Sequence, residues 1–329
     1  MSRALPYYGA LTMPVLVMLG LLLGGWWGYS MLVVPFVVVP IIDHLVGPDT
    51  RQPDRSELKD LESQISYRMV LYIYAALQCG LLVWAMLQWP ELQGWERWAC
   101  TIVMGVMTGG LGITIAHELV HRSSWVERAL GYGLLCSVWY GHFGVEHVRG
   151  HHKNVGLRID PATARRGEHA YAFVVRSLVM GFVDAFRIEP RLVAGLTIVQ
   201  AGWTVLAVVL VGDLSVLWFV LGQSAVAVLL LELVNYVEHY GLVRHEVAPG
   251  VMAKFSAQHA WESRYPASNY LLFKLQRHAD HHMHPQRRYQ TLRVHEDSPQ
   301  LPSGYPMMVL LALVPSLWFR AIDRRIPAM

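Results

Sequence analysis

Sixteen histidines are present in 329 residues, and nine of them fall in four short stretches. His117 and His121 stand in "HELVH", and His147, His151 and His152 in "EHVRGHH". His239 is in "NYVEHYGL", and His278, His281 and His282 are in "LQRHADHH". Imidazole suits iron, copper, nickel and zinc, so the pattern points to a metal site. Helical residues four apart share a face. That spacing pairs His117 with His121, His147 with His151, and His278 with His282; His281 joins the last pair on one broad face. The neighbours His151–His152 and His281–His282 are turned about 100° apart. From a regular helix, such neighbours reach two metals more easily than one. Counting agrees, because a structural zinc takes four protein ligands and a catalytic one typically three. Nine histidines exceed one such site and suit two metals with four or five ligands each. "HELVH" also fits the HExxH pattern of zinc proteases, but that reading uses two of the nine. His284, turned to another side before Pro285, is left out of the ligand set. The isolated His44 and His169 read as interfacial or packing residues.

Four carboxylates sit beside these histidines: Glu118, Glu146, Glu238 and Asp280. Some are expected to accept hydrogen bonds from ligand imidazoles and fix their orientation. Metal ligation, helix capping and plain surface charge are the alternatives.

The elements that must carry these groups are membrane helices. The chain is 54% hydrophobic with a net charge of only +3, a composition of the membrane class that gives no sign of a nucleic-acid partner. Leu5–Trp27, Tyr67–Trp89, Trp98–Ala116, Leu192–Val211 and Leu214–Val234 are each apolar over about 19–23 residues, enough to cross the hydrocarbon core. Tyr29–Ile42 reads as the return leg of a hairpin, giving six spans. Arg51, Arg55 and Lys59, and the arginine-rich stretches from Arg122 to Arg191 and beyond Arg244, mark one side as cytoplasmic. The opposite linkers hold one basic residue, Arg97. Both termini then lie inside, and all nine histidines collect at or just beyond cytoplasmic helix ends. Trp26, Trp27, Trp89, Trp95 and Trp98 fall at the other ends, as an interfacial belt would. The first apolar stretch is too long for a cleaved signal peptide, and no small-x-small site stands out. Pro35 and Phe36, midway along the second span, are candidates for shaping a channel, with ordinary packing as the alternative. Tyr305–Phe319 is too short to span and reads as interfacial or re-entrant. Cys79, Cys100 and Cys136 form no CxxC pair, so neither a disulfide framework nor an iron–sulfur site is supported. With no internal repeat, residues 1–329 read as one all-α integral membrane domain. A metal transporter is the rival class, but transport sites lie near the bilayer midplane, not at one interface.

The four histidine stretches, extended to "LQRHADHHMHPQRRYQTLR" and joined by "DPATARRGE" (Asp160–Glu168) and "SNYLLFKLQRH" (Ser268–His278), resemble those of the integral-membrane alkane 1-monooxygenases, within the wider membrane desaturase/hydroxylase superfamily. The resemblance runs from the first hairpin to "LPSGYP". It implies a non-haem site of two iron ions held by His117, His121, His147, His151, His152, His239, His278, His281 and His282. It also implies use of O2 to hydroxylate the terminal methyl of medium-chain alkanes, in a bacterial-type inner (cytoplasmic) membrane. Electrons would come from NAD(P)H through a reductase and a rubredoxin-type carrier, a separate protein because this chain has no CxxC pairs. A hydroxylase of aromatic methyl groups or a fatty acyl desaturase would use the same site. The sequence departs from the family's pattern at Arg122, where many relatives have lysine, and at Glu262, where a neutral polar residue is common. Either change would alter hydrogen bonding around the site or partner docking. The basic stretch from Arg149 to Arg166, with Arg287 and Arg288, is a candidate surface for steering an acidic carrier; positive-inside charge and lipid-headgroup contact are the alternatives.

Overall fold

The first helix, Leu5–Leu23 (α1), opens as a 3-10 turn and is followed by a bent pair, Gly25–Leu32 and Val34–Val46 (α2), which meet at 43°. Leu58–Gln88 (α3) and Trp95–Val120 (α4) come next, then the shorter Trp125–Cys136 (α5) and a helical segment over 143–154 (α6). Ala170–Ile188 (α7), Pro190–Val211 (α8) and Val216–His239 (α9) complete the long helices. The structure, a computed structural model, describes residues 3–327. Among the described residues, five helices are long and apolar enough to span a membrane, six if α2 counts as one broken span. The extreme termini, which the charge pattern places inside, lie outside the described residues.

α4 is the central span, with 83% of its most apolar window buried, whereas α8, at 22%, turns most of its side chains outward. α4 and α9 press together through small residues. A Cβ at Gly109 would lie 2.6 Å from the Ala227 backbone, and one at Gly105 would lie 2.5 Å from Val226 Cβ. Close backbone approach through glycine is how helices associate where lipid removes the hydrophobic drive. Both helices end at histidines, so their contact sets the distance between two parts of the site.

Among the described residues, three π turns interrupt the helices, at Val34–Val38 in α2, Thr108–Gly112 in α4 and His147–His151 in α6. Such turns insert one extra residue and are frequent at functional sites.

The rest of the chain folds over the histidine end. A small hairpin, Glu246–Ala248 (β1) with Val251–Met252 (β2), is a minor exception to the helical architecture. Two one-to-two-turn helices, Pro266–Leu271 (α10) and His278–Met283 (α11), carry the last motif. The apolar 305–319 stretch forms two short helices, Tyr305–Ala312 (α12) and Pro315–Ile322 (α13), parted before Pro315 and too short to span. Trp26, Trp27, Trp95 and Trp98 are exposed at the end opposite the histidines, and Trp218 joins them. Trp89 does not belong to this belt. It is buried and its Nε1 donates to Ser215 Oγ at 2.9 Å, because a partner for the indole N–H lets the ring pack inward.

Candidate metal centre

All nine histidines come together at one end of the bundle, in two groups. His117, His121, His147, His152 and His281 form one, and His151, His239, His278 and His282 the other; within each, the candidate ligand atoms lie within 4.8 Å of one another. His147 Nε2 is 3.0 Å from His121 Nε2 and 3.1 Å from His152 Nε2, which is 3.1 Å from His281 Nε2. In the second group His278 Nε2 is 3.0 Å from His239 Nε2 and 2.9 Å from His282 Nε2. A neutral imidazole nitrogen offers one proton or one lone pair. The four nitrogens of the first chain can therefore make at most two hydrogen bonds among themselves, and His117 Nε2 is buried with no partner. A cation suits this arrangement better. Two nitrogens about 2.1 Å from one metal, at a right angle, are about 3.0 Å apart.

Burial pushes the pKa values of His121, His147, His152, His278, His281 and His282 well below the ordinary imidazole value, and neighbouring rings add to it. These rings are neutral near pH 7, with lone pairs free for a metal.

The adjacent pairs divide as expected, His151 from His152 and His281 from His282, one to each group. Within α6 the pairing differs from the i, i+4 expectation. His147 joins His152, not His151, because the segment is a π turn in which the His152 N–H donates to the His147 carbonyl. His239 is the last residue of α9 and not just beyond it. His284 lies outside both groups, half-exposed, with Nδ1 3.3 Å from Asp280 Oδ1.

The four carboxylates flanking the motifs are all buried, so none is a surface charge. Only Glu238 faces a candidate ligand, its Oε1 3.3 Å from His278 Nδ1 without hydrogen-bond alignment. Asp280 instead accepts from Arg287 Nη1 at 2.8 Å, from the Arg293 N–H at 3.1 Å and from His295 Nε2 at 2.8 Å. Glu118 accepts from the Tyr289 N–H at 3.4 Å and lies 3.8 Å from Arg122. Burial, with the carboxylates of Asp160, Glu232 and Asp184 beside it, pushes the Glu146 carboxyl well above the usual range. The residue that sequence reasoning missed is Asp160. Its Oδ2 lies 2.9 Å from His151 Nδ1, while Ala162 N–H and Thr163 Oγ1 also donate to it. A carboxylate acceptor makes Nδ1 the protonated nitrogen and leaves Nε2 free to ligate. "DPATARRGE" signalled its place in a motif, but nothing in the spacing tied it to His151.

Of the two expected departures from the family's pattern, Arg122 reaches the last motif and Glu262 the segment just after it. Arg122 donates to the carbonyls of Gln286 at 2.6 Å and of Pro285 and Arg287 at 3.1 Å, clamping the loop after α11. Glu262 is buried, which raises its pKa to about 7, and accepts from the His295 N–H at 3.3 Å.

A narrow apolar cavity of about 60 Å³ runs between α1, α2, α4, α9 and α12. Pro35 and Phe36 line it, as do Gly109 and Gly110 in the π turn of α4. Its lining also includes Thr114 and Leu275, each three residues before a histidine and on the same helical side as His117 or leading into His278. On the outer surface Arg149, Arg287 and Arg288 are engaged by Glu189, Asp280 and Glu127. Arg158, Arg165 and Arg166 are exposed, line a concavity with His245, and form no ion pair among the described residues.

Residues 93–311 match the model of the family described as fatty acid desaturase. The chain is 36% identical to alkane 1-monooxygenase 2 of Pseudomonas aeruginosa, over 95% of this chain and 90% of that protein. It is 39% identical to alkane 1-monooxygenase 1 of the same organism, over 92% of this chain and 84% of that protein. The xylene/toluene monooxygenase hydroxylase component XylM of Pseudomonas putida is 29% identical over 68% of this chain and 63% of that protein.

Proposed function

The chain belongs to the alkane 1-monooxygenases of the fatty acid desaturase family, and from that premise we propose that it hydroxylates the terminal methyl of medium-chain alkanes to 1-alkanols. The observation that carries this reading is the apolar cavity whose lining includes Thr114 and Leu275, each three residues before a histidine of the two groups. An alkane has no polar handle, so its recognition must come from the shape of an apolar lining, which this cavity supplies. The nine histidines would hold two irons, five ligands for one and four for the other. Bound there, the irons would supply the O2 chemistry, in which one oxygen atom enters the substrate and the other leaves as water with two electrons and two protons. The protein's part is to hold the methyl group beside the histidines, keep bulk water out of the lipid-facing cavity, and fix the imidazoles. Asp160 fixes His151. Arg122 and the Asp280 cluster hold the loop that follows α11.

The electrons would come from a separate rubredoxin-type carrier with its NAD(P)H-dependent reductase. The exposed arginines Arg158, Arg165 and Arg166 sit on the chain just beyond His152 and would steer an acidic carrier close to the metals. The histidine face would be cytoplasmic, in a bacterial inner membrane.

The test is expression with a rubredoxin and its reductase on medium-chain alkanes. Oxygen-dependent formation of 1-alkanol and about two irons per chain are expected. One zinc per chain rejects the di-iron site, and full activity of His281→Ala rejects its ligand set. The likeness to XylM favours a second reading, a methyl hydroxylase of alkylbenzenes; xylene competing against octane in the same assay separates the two.

A further inference from the structure

Beside the last histidine motif lies a cleft that the metal centre does not use. It opens at the histidine end of the bundle, between the start of α1, residues 49–57, the start of α3 and the segment that carries α10. Five cationic side chains line it, Arg3, Arg51, Arg264, Lys274 and Arg277, against three carboxylates. Two of the carboxylates are committed, Asp49 to Arg51 at 2.9 Å and Glu57 to Arg3 at 3.0 Å, and the third, Asp54, is exposed. Arg264, Lys274 and Arg277 form no ion pair among the described residues.

Lys274 and Arg277 are also buried. Lys274 Nζ donates to the Gln290 carbonyl at 2.8 Å. Arg277 donates through Nη1 to the Leu292 carbonyl at 2.8 Å and through Nη2 to the Arg51 carbonyl at 3.2 Å. The Nε atoms of Arg264 and Arg277 are buried without partners. Carbonyl dipoles solvate a cation without neutralising it, and a buried charge lacking a counter-ion is costly. The turn that carries Lys274 inward adds to the cost, with Phe273 and Lys274 at φ of 49° and 54°, the left-handed region that residues with side chains rarely adopt. Strain of this kind persists where the surroundings or a ligand make use of it.

We propose that this cleft binds a phosphate-bearing anion, the headgroup of an anionic phospholipid or a free phosphate, among Lys274, Arg277, Arg264 and Arg51. Lysine supplies a point charge and arginine a planar fork, the usual pairing for phosphate oxygens. The cleft opens beside the start of α1 and of α3, helix ends that anionic headgroups would meet in a bilayer. Arg277 directly precedes His278, so a bound anion braces the segment that carries three of the histidines. The site is separate from the apolar cavity and does not depend on the substrate assigned above.

The test uses the full-length protein in neutral detergent, titrated with phosphatidylglycerol, phosphatidylcholine or inorganic phosphate. Bound lipid is counted by native mass spectrometry, and stability is followed by thermal unfolding. An anion that occupies the cleft raises Tm by a few degrees, and phosphatidylcholine does not. A shift with phosphatidylglycerol alone assigns the headgroup; a shift with inorganic phosphate as well assigns the phosphate itself. Lys274→Met lowers the affinity for that anion about tenfold. The double variant Arg51→Gln, Arg264→Gln does the same and leaves both fully buried cations in place, so it reads out even where Lys274→Met fails to fold. No response to either anion, an equal response to phosphatidylcholine, or wild-type affinity in the double variant overturns the proposal.

Discussion

Replacing Asp160 with asparagine tests how the second histidine group is held. The two side chains have the same shape, so packing is unchanged, but one acceptor oxygen becomes a donor. In the wild type Oδ1 accepts from the Ala162 N–H at 3.1 Å, while Oδ2 faces His151 Nδ1 at 2.9 Å. An asparagine that keeps its oxygen toward His151 turns its NH2 against the Ala162 N–H, donor to donor. The reverse orientation points the NH2 at His151 Nδ1. His151 then does best as the other tautomer, with the proton on Nε2, where it cannot ligate. Changing such a partner of a ligand typically costs 10–100-fold in metal affinity, about 1.4–2.7 kcal/mol. Only the group of His151, His239, His278 and His282 should weaken, because the other group contains no partner of Asp160. The assay is metal retained per chain against a graded chelator. On the proposed two-iron reading, the wild type loses its metal over one range of chelator, and Asp160→Asn loses about half of it at 10–100-fold lower chelator. Wild-type retention, or parallel loss of both metals, refutes the tautomer argument.

Three further outcomes follow from the geometry. Leu111→Phe fills part of the cavity lining and shifts preference to shorter alkanes, with affinity falling about fourfold per methylene excluded, at roughly 0.8 kcal/mol each; a chain-length series of KM values reads this. Gly109→Val drives a side chain into the Ala227 backbone, 2.6 Å from the new Cβ, and costs about 1–3 kcal/mol or more, seen as a lower Tm and reduced metal content. Glu168 is held by Arg176 through Nε at 2.7 Å and Nη2 at 2.8 Å. Burial alone would raise its pKa, but hydrogen bonds from the Arg176 side chain and the Arg165 N–H outweigh it and hold the carboxyl below its ordinary value. A depressed carboxylate stabilises fully above the unfolded pKa of about 4.3 and is lost as pH falls through the folded value. Tm should therefore drop below about pH 4, and Glu168→Gln should cost about 1–2 kcal/mol at pH 7 and flatten that drop.

The spanning helices and the histidine clusters were legible because they are periodic. His117 with His121 and His278 with His282 declare a shared face, and apolar runs of span length declare themselves by composition. What stayed hidden depends on partners far apart in the chain or on local departures from the α-helix. Asp160 meets His151 through a loop that has no period. Asp280, adjacent to His281, is drawn to Arg287 and His295 instead of a histidine of the two groups, because three donors further along the chain converge on it. Trp89 looked interfacial until Ser215, 126 residues away, supplied a partner for its indole. The pairing of His147 with His152 rests on a π turn, and no residue pattern in "HVRGHH" announces one.

That π turn also bears on how such sites vary in length. Removing one residue between His147 and His151 would let the segment relax to a regular α-helix. The present His152 would then stand four residues from His147, still on its face, and the present His151 would remain its neighbour toward the other group. Two chains whose histidines differ in spacing by one can thus present the same constellation, one with a bulge and one without. At this point an insertion or deletion is a milder event than a substitution, and an alignment gap inside the motif need not mean a lost ligand.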